Sequence, residues 1–216
     1  MPRRFFLSAS LIAVLLFNFS ASAALAEPLA SESKVAPTAD ADGDGLSDSL
    51  ELAFGTDSAN PDFDGDGYPD GLEVQNGYDP RDPTPKRLTK SVSIHTKSQK
   101  LAYYLDGVKL GEFTVSTGKK KTPTPSGEFT ITKKAPKAWS KMAGLWMPWW
   151  INFTGPKARP GLYAIHELPI WPGGKREGAS HLGKPVSGGC VRLGIGAAKF
   201  IYDWAPIGTK VVITAD

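Results

Sequence analysis

The sequence predicts a mainly β domain with one short helix near its C-terminus, preceded by a small acidic module made of loops. From Ser91 onward, short runs of alternating apolar and polar residues recur between turn signals, a pattern typical of strands. Only residues 196–204 of this part space their apolar side chains along one face of a helix. Residues 40–82 are rich in aspartate and hold too few apolar residues to build much core.

The first residues indicate export from the cytoplasm. Two arginines precede an apolar run at residues 5–19, which is followed by small residues and Ala-Leu-Ala at residues 24–26. This order is typical of a secretory signal peptide, and the run is shorter than the ~20 residues that span a bilayer. We expect a signal peptide at residues 1–26, a linker at 27–39, no transmembrane segment in the mature chain, and a location in the periplasm or cell envelope. An uncleaved anchor is the alternative.

The rest of the chain consists of two parts with opposite charge. Residues 40–82 contain thirteen acidic residues and one basic residue, whereas residues 86–216 contain twenty-one basic and seven acidic residues. Three prolines at residues 79–85 resist regular structure and mark a boundary. We therefore expect an acidic module at residues 40–82, a linker at 83–90 and a basic domain at 91–216.

The acidic module contains the same loop pattern twice, 22 residues apart. Alternate aspartates direct carboxylates inward, a glycine at the sixth position permits a sharp turn, and the closing glutamate can chelate with both oxygens. Ca²⁺ prefers such oxygen ligands. The predicted ligands are Asp40, Asp42, Asp44, the Leu46 carbonyl, Asp48 and Glu51 in the first loop, and Asp62, Asp64, Asp66, the Tyr68 carbonyl, Asp70 and Glu73 in the second.

The spacing of the two loops distinguishes between classes of calcium module. Residues 50–55 leave room for one or two helical turns, which is too little for a full helix-loop-helix pair. With the Gly-Thr-Asp at residues 55–57, the stretch resembles the calcium-binding repeats of the thrombospondin type 3 class. The expected Ca²⁺ is structural and supplies folding energy to a module with little core. A solvated acidic linker is the alternative.

The basic domain begins with strands and ends with the helix and a closing strand. Two of the strands flank the turn Asp106-Gly107, which is a hairpin signal. Another strand ends at His166. The predicted strands cover residues 92–96, 101–105, 109–117, 128–133, 161–166 and 211–213.

Cys190 is the single cysteine of the chain. Exported proteins usually pair their cysteines, so a lone thiol is either an inert buried group or one kept for chemistry. A thiol becomes a nucleophile as thiolate, which requires a nearby base or cation. His166, 24 residues upstream at the end of a strand, is the candidate base, and His181 is the alternative.

The neighbours of Cys190 favour acyl-transfer chemistry. The thiol lies in Ser-Gly-Gly-Cys-Val-Arg, which starts at Ser187, and the predicted oxyanion and substrate-binding residues are Ser187, Gly188, Gly189 and Arg192. Gly188 and Gly189 expose backbone N–H groups that suit an oxyanion, and Arg192 offers a cation for a substrate carboxylate. These are the parts of an acyl-transferring cysteine enzyme that needs no cofactor for catalysis.

Residues 182–193, Leu-Gly-Lys-Pro-Val-Ser-Gly-Gly-Cys-Val-Arg-Leu, resemble the signature of the L,D-transpeptidase family. In that family an Ile-His pair ends one strand, and a Ser-x-Gly-Cys-x-Arg segment carries the nucleophile. Segments 116–118, 122–129 and 208–213 match further parts of the family pattern, so the resemblance covers residues 91–214. It implies a β-sandwich-like catalytic domain with Cys190 as nucleophile and His166 as base.

The resemblance also implies the substrate, which is the stem peptide of peptidoglycan. Such an enzyme forms a thioester with a tetrapeptide stem, releases D-alanine, and forms 3–3 cross-links or attaches a protein to the wall. One position departs from the family, because Gly188 stands where a histidine is usual; we expect activity to be retained. The alternatives are an L,D-carboxypeptidase or endopeptidase, and a calcium-dependent wall-binding protein with an inactive enzyme domain.

Two expectations concern other partners and the surroundings of the thiol. Five tryptophans cluster around the His166 strand, and residues 139–153 are placed to form a lid over a substrate groove. Ordinary core packing should account for about half of these tryptophans. Nucleic acid is an unsuitable partner for an exported chain without any recognised binding motif.

Overall fold

The computed structural model describes residues 39–215. The predicted signal peptide at 1–26, and all of the first linker except Ala39, lie outside the described residues. Within the described range, no helix is long and apolar enough to cross a membrane. The elements are α1 (Asp48–Phe54), α2 (Asp70–Asn76), β1 (Lys90–His95), β2 (Lys100–Leu105), β3 (Val108–Thr114), β4 (Gly127–Ser140), β5 (Leu145–Thr154), β6 (Ala164–Glu167), a 3₁₀ turn (Ala179–His181), β7 (Val191–Leu193), α3 (Ala197–Trp204) and β8 (Lys210–Thr214).

The strands form one mixed sheet in the order β3-β2-β1-β8-β4-β5-β6-β7, in which β1/β8 and β6/β7 are parallel pairs. The chain after β3 reaches the opposite edge of the sheet. There the Ser116 N–H donates to the Arg192 carbonyl at 2.9 Å, and the Arg192 N–H donates to the Ser116 carbonyl at 2.8 Å. The sheet therefore curls until its two edges meet, and the predicted mainly β, sandwich-like class is confirmed.

The core lies between the inner faces of the strands and helix α3. Ile94 of β1, Phe153 of β5 and Ile165 of β6 are each fully buried. Ile201 and Trp204 of α3 belong to the same apolar cluster, as the helical pattern predicts. Burying each such side chain contributes about 1.5–3 kcal/mol, so this cluster fixes the strands that carry the candidate site.

The longest strands differ from the sequence expectation. The predicted strand at residues 128–133 is only the beginning of β4, which continues to Ser140 and pairs with β5 in a long hairpin. Pro136 and Pro148 lie inside these strands, and proline argues against a central strand. The structure accommodates them because β4 pairs with β8, and β5 with β6, only at the base of the hairpin.

The acidic module packs against the sheet. Leu46, Phe54 and Val74 of the module form a small apolar cluster with Leu105 of β2, which is fully buried. The stretch predicted as a linker, residues 83–90, is hydrogen-bonded to the module; for example, the Leu88 N–H donates to the Gly77 carbonyl at 2.9 Å. The module thus buries part of β2, a strand of the sheet.

Candidate active site

Cys190 and His166 lie at the parallel pair β6/β7. His166 is in register with Arg192, and Cys190 immediately precedes β7. Because side chains alternate along a strand, Cys190 and Arg192 share the face that His166 occupies. Ile165 and Val191 lie on the other face and are fully buried in the core. The core thus fixes the two strands, and the register brings the three polar residues together.

These residues line one cavity of about 520 Å³. His166, Gly188, Cys190 and Arg192 form one side of it, with the ring of Tyr163. The β4–β5 hairpin supplies the other walls, which include Lys133, Trp139, Lys141, Met142 and Trp150. The hairpin contains the segment 139–153, which was predicted to form a lid, and part of this segment lines the cavity.

The hydrogen bonds of His166 define which of its nitrogens can act. Its Nδ1 lies 2.6 Å from the backbone carbonyl of Glu167. A carbonyl can only accept, so Nδ1 carries the proton and Nε2 remains a free base. The pKa of His166 is lowered to about 4, mainly by burial; the charge of Arg192 also lowers it, and the bond to the Glu167 carbonyl offsets part of the shift. The imidazole is therefore neutral at pH 7.

Burial also raises the pKa of the Cys190 thiol above its usual range. A backbone hydrogen bond with Ala164 and the charge of Arg192 act in the opposite direction. Since both the thiol and the imidazole of His166 are kept neutral, the resting site favours an uncharged pair. In such a pair a thiolate would form by transfer of the thiol proton to a neighbouring base, for which Nε2 of His166 is the candidate.

The loop before β7 is braced by its own serine. Ser187 is fully buried, and its hydroxyl donates to the Cys190 carbonyl at 2.5 Å. The same oxygen accepts the Gly189 N–H at 3.0 Å. Of the predicted oxyanion and substrate-binding residues, Gly188 and Arg192 thus line the cavity, whereas Ser187 and Gly189 do not line it and instead shape the loop.

The two glycines of this loop have different requirements. At Gly189 the backbone φ is +123°, and an added Cβ would lie 2.8 Å from the ring of Tyr163. This position therefore needs glycine. At Gly188 an added Cβ would meet nothing within 4 Å, so a side chain there would enter open space at the cavity.

The upstream motifs support the same loop from the neighbouring edge. The Ser187 N–H donates to the Thr117 carbonyl at 2.9 Å. The Thr124 hydroxyl donates to the Gly189 carbonyl at 2.8 Å and accepts the Gly118 N–H at 2.9 Å. Segments 116–118 and 122–129 therefore hold the loop that presents Cys190. These are two of the segments that resemble the family pattern.

Glu177 is a buried residue beside the site that no sequence motif indicates. Its Oε1 accepts the Arg192 Nη1–H at 2.7 Å and the His181 Nδ1–H at 2.9 Å. His181, the alternative base, is not part of the cavity wall formed by the described residues. The sequence offers one indication of the role of Glu177, because this residue and Glu167 are the only acidic residues between His166 and Cys190.

The acidic module brings its carboxylates together in two groups. The side-chain oxygens of Asp40, Asp42 and Asp44 lie within 4.8 Å of one another, and those of the corresponding aspartates of the second loop do the same. The Gly71 N–H donates to Asp44 at 2.7 Å and so connects the second repeat with the first loop.

The closing glutamates of both loops have buried carboxylate oxygens without hydrogen-bond partners among the described residues. Glu51 is fully buried, and neither of its carboxylate oxygens has a hydrogen-bond partner among the described residues. One oxygen of Glu73 and one of Asp70 are buried in the same way. Burial and the neighbouring carboxylates raise the pKa of Glu51 and of Glu73 to about 7. Unpaired buried carboxylates are costly, so this donor set fits a hard divalent cation.

Comparison with known proteins yields a match for both parts of the chain. Residues 89–213 match the L,D-transpeptidase catalytic domain, and residues 40–61 and 62–83 each match the bacterial TSP3 repeat. A relative from Bacillus subtilis (strain 168), named "Putative L,D-transpeptidase YqjB", is 31% identical over 133 residues, which cover 58% of this chain and 71% of the relative.

Two solved structures match part of this chain. The L,D-transpeptidase from Mycobacterium smegmatis is 23% identical with a TM-score of 0.49, and the match covers 60% of each chain. The structure of LD transpeptidase LdtMt1 in complex with imipenem is 16% identical with a TM-score of 0.51, and its match also covers 60% of each chain. At 16% identity the second likeness bears on the fold alone. This chain spans about 60% of the length of both proteins.

The family match extends over more than half of the chain and includes both the His166 strand and the Cys190 loop. The resemblance drawn from the motifs is thereby confirmed, in the predicted order of acidic repeats before the β domain. The chain belongs to the L,D-transpeptidase catalytic-domain family and carries two bacterial TSP3 repeats ahead of that domain.

Proposed function

We propose that this chain is an exported peptidoglycan L,D-transpeptidase with Cys190 as nucleophile and His166 as general base. Family membership supports the reaction class, because L,D-transpeptidases act on peptidoglycan peptides outside the cytoplasm. The observation that carries the proposal is that Cys190 and His166 share one face of adjacent parallel strands and line the same cavity. This chemistry needs no cofactor.

The first half-reaction forms a thioester. His166 Nε2 takes the thiol proton while the Cys190 sulfur attacks the carbonyl carbon of the L-centre in a tetrapeptide stem. Backbone N–H groups stabilise the oxyanion, and the Gly188 amide is the candidate at the cavity wall. The C–N bond then breaks, and His166 returns the proton to the amine of departing D-alanine.

The second half-reaction determines the product. An amine of another stem attacks the thioester, a new amide bond forms, and Cys190 regains its proton through His166. This gives a 3–3 cross-link, and an amine on a protein would give attachment of that protein to the wall. Attack by water would instead leave a tripeptide. The aromatic hairpin beside the cavity favours the amine, because it limits the access of water to the thioester.

Charge in the cavity suits the stem peptide. Lys133 and Lys141 of the hairpin and Arg192 of β7 line it, and no acidic side chain is among the described lining residues. Stem peptides carry free carboxylates, which such cations attract. The predicted role of Arg192 as an anion partner fits this arrangement, although its Nη1 is already bonded to Glu177.

We also infer the organisation of the whole chain: a signal peptide at 1–26, a linker at 27–39, a calcium module at 40–82, a second linker at 83–90 and the catalytic domain at 91–216. In the module, the carboxylates of both loops and the carbonyls of Leu46 and Tyr68 would hold Ca²⁺. The bound ion would neutralise the carboxylates buried in the module, so its role is structural.

The test is incubation of the mature protein with disaccharide-tetrapeptide, followed by separation of the products by mass. A dimer that has lost one D-alanine is the expected product. The matched control is Cys190→Ser, which keeps the shape of the site and exchanges sulfur for oxygen. Monomeric tripeptide as the only product would show that the chain is a carboxypeptidase. No more product than the control gives would refute the proposal that the chain is an enzyme.

A further inference from the structure

Glu177 is a buried carboxylate that contacts the site without lining its cavity. Its side chain is 4% exposed and accepts one hydrogen bond from Arg192, whose side chain is 14% exposed. A charge-assisted bond between two groups so shielded from water is strong, because little solvent screens it. Its length of 2.7 Å is typical of such a bond.

Arg192 is held at both ends. Its backbone exchanges two hydrogen bonds with Ser116 across the meeting edges of the sheet. For its guanidinium, Glu177 is the sole side-chain acceptor found among residues 39–215. The Nε–H of Arg192 and the second oxygen of Glu177 are buried without partners. The bond to Glu177, whose Oε1 also accepts the His181 Nδ1–H at 2.9 Å, therefore determines where this charge lies.

The position of the guanidinium matters for the thiol. A cation beside Cys190 favours the thiolate, and this effect weakens as the cation moves away. The other titratable groups that share the cavity with Cys190 are His166 of β6, Tyr163 before it, and Lys133 and Lys141 of the hairpin. The two lysines lie on the hairpin, whereas Arg192 lies on the strand that follows Cys190 directly.

We propose that Glu177 is a positioning residue, which holds the guanidinium of Arg192 at the Cys190–His166 cavity and thereby sets the reactivity of the thiol. Its importance for peptidoglycan chemistry rests on the proposed function. Its effect on the thiol does not, because alkylation of Cys190 needs no peptide substrate.

The test is a double-mutant cycle on the full mature chain with Glu177→Gln and Arg192→Gln. Iodoacetamide alkylates the thiolate with loss of iodide, and intact mass follows Cys190 alone because it is the only cysteine. Near pH 7, Glu177→Gln should slow alkylation about tenfold, since a neutral amide holds the guanidinium less firmly. The pH midpoint of alkylation should rise by about one unit, and adding Glu177→Gln to Arg192→Gln should change the rate by less than about twofold.

Glu128→Gln is the matched control, because Glu128 is exposed and bonded to Lys210 on the surface. It should leave the rate unchanged. Equal effects of Glu177→Gln in both backgrounds, or no effect in the native background, would overturn the proposal. If Glu177→Gln fails to fold, the same cycle with Glu177→Asp, which keeps the charge on a shorter side chain, decides the question by the same criterion. A coupled cycle in a protein that releases no D-alanine would refute the proposed function and leave the role of Glu177 intact.

Discussion

At the scale of single residues, burial keeps both members of the Cys190–His166 pair uncharged. The pKa of the thiol is raised, and that of His166 is lowered to about 4. An ordinary histidine, with a pKa near 6.5, would be mostly protonated at pH 5 and could not accept the thiol proton. His166 remains a base at that pH, because protonating it would place a charge in a water-poor site beside Arg192.

The predicted consequence is an acid limit displaced to low pH. The kcat/KM for D-alanine release should persist at about pH 5 and fall only as the pH approaches about 4, where His166 takes up a proton. Steady-state rates measured from about pH 4 to pH 8 give the profile. An acid limb centred near the ordinary histidine value of about 6.5 would contradict the neutral resting pair.

The two glycines before Cys190 provide a second prediction at this scale. Gly188→Ala places a methyl group in open space and should change the free energy of unfolding by less than about 0.5 kcal/mol. Gly189→Ala combines a φ of +123° with a contact of 2.8 Å to Tyr163, and should cost about 1–3 kcal/mol. Urea denaturation of both variants measures this difference, and equal costs would show that the loop geometry described above is wrong.

At the scale of elements, the β4–β5 hairpin is the part of the fold that shields the cavity. Beyond its base the hairpin extends past the ladders with β8 and β6, and it is tied back through the hydrogen-bonded pair Trp146 and Ile170. Trp139 packs on Trp146 with ring centroids 4.9 Å apart and remains 40% exposed. Its ring is therefore placed to contact a bound substrate as well as the hairpin.

We predict that Trp139→Ala shifts the reaction from cross-linking to hydrolysis. Removing the ring opens the cavity wall to water, so the ratio of tripeptide to dimer should rise about threefold or more while the fold persists. The matched control is Phe200→Ala, since Phe200 is 41% exposed and lies on α3 away from the cavity. Equal product ratios for both variants would show that the hairpin does not limit the access of water to the thioester.

Some elements of the fold could be predicted from the sequence and others could not. Helix α3 and strand β6 follow local apolar patterns, and the loop of Cys190 follows a motif, so each was predictable from neighbouring residues. The β4–β5 hairpin was not predictable in full, because Pro136 and Pro148 argue against strands at their positions. Proline is tolerated there because this part of the hairpin consists of two strands only. Glu177 was not predictable either, because its bond to Arg192 depends on how a loop folds back on β7.

At the scale of the whole molecule, the acidic module and the catalytic sheet share a cluster of apolar side chains. Leu105, at the end of β2, is fully buried against Leu46, Phe54 and Val74 of the module. Helix α1, which carries Phe54, also carries Glu51, and helix α2, which carries Val74, also carries Glu73; both glutamates have buried oxygens without partners among the described residues, which a bound cation would neutralise. Calcium should therefore stabilise the catalytic domain as well as the module.

Tryptophan fluorescence can test this coupling, because all six tryptophans lie beyond residue 138 and none lies in the module. Calcium at about 100 times its Kd should raise the unfolding free energy seen by tryptophan by up to about 2.7 kcal/mol. Glu51→Gln should reduce this gain, whereas Glu128→Gln, on the exposed surface, should retain it. A tryptophan transition that calcium leaves unchanged would show that the module folds independently.

If Cys190 forms a thioester with a peptidoglycan stem, the covalent adduct can be trapped and weighed. Mature protein is mixed with disaccharide-tetrapeptide, quenched in acid and weighed intact by mass spectrometry. We expect an adduct equal in mass to the tetrapeptide substrate minus D-alanine, absent from Cys190→Ser at the same quench time and lost on treatment with hydroxylamine. D-alanine release without dependence on Cys190, or an adduct that hydroxylamine does not remove, would contradict the thioester mechanism.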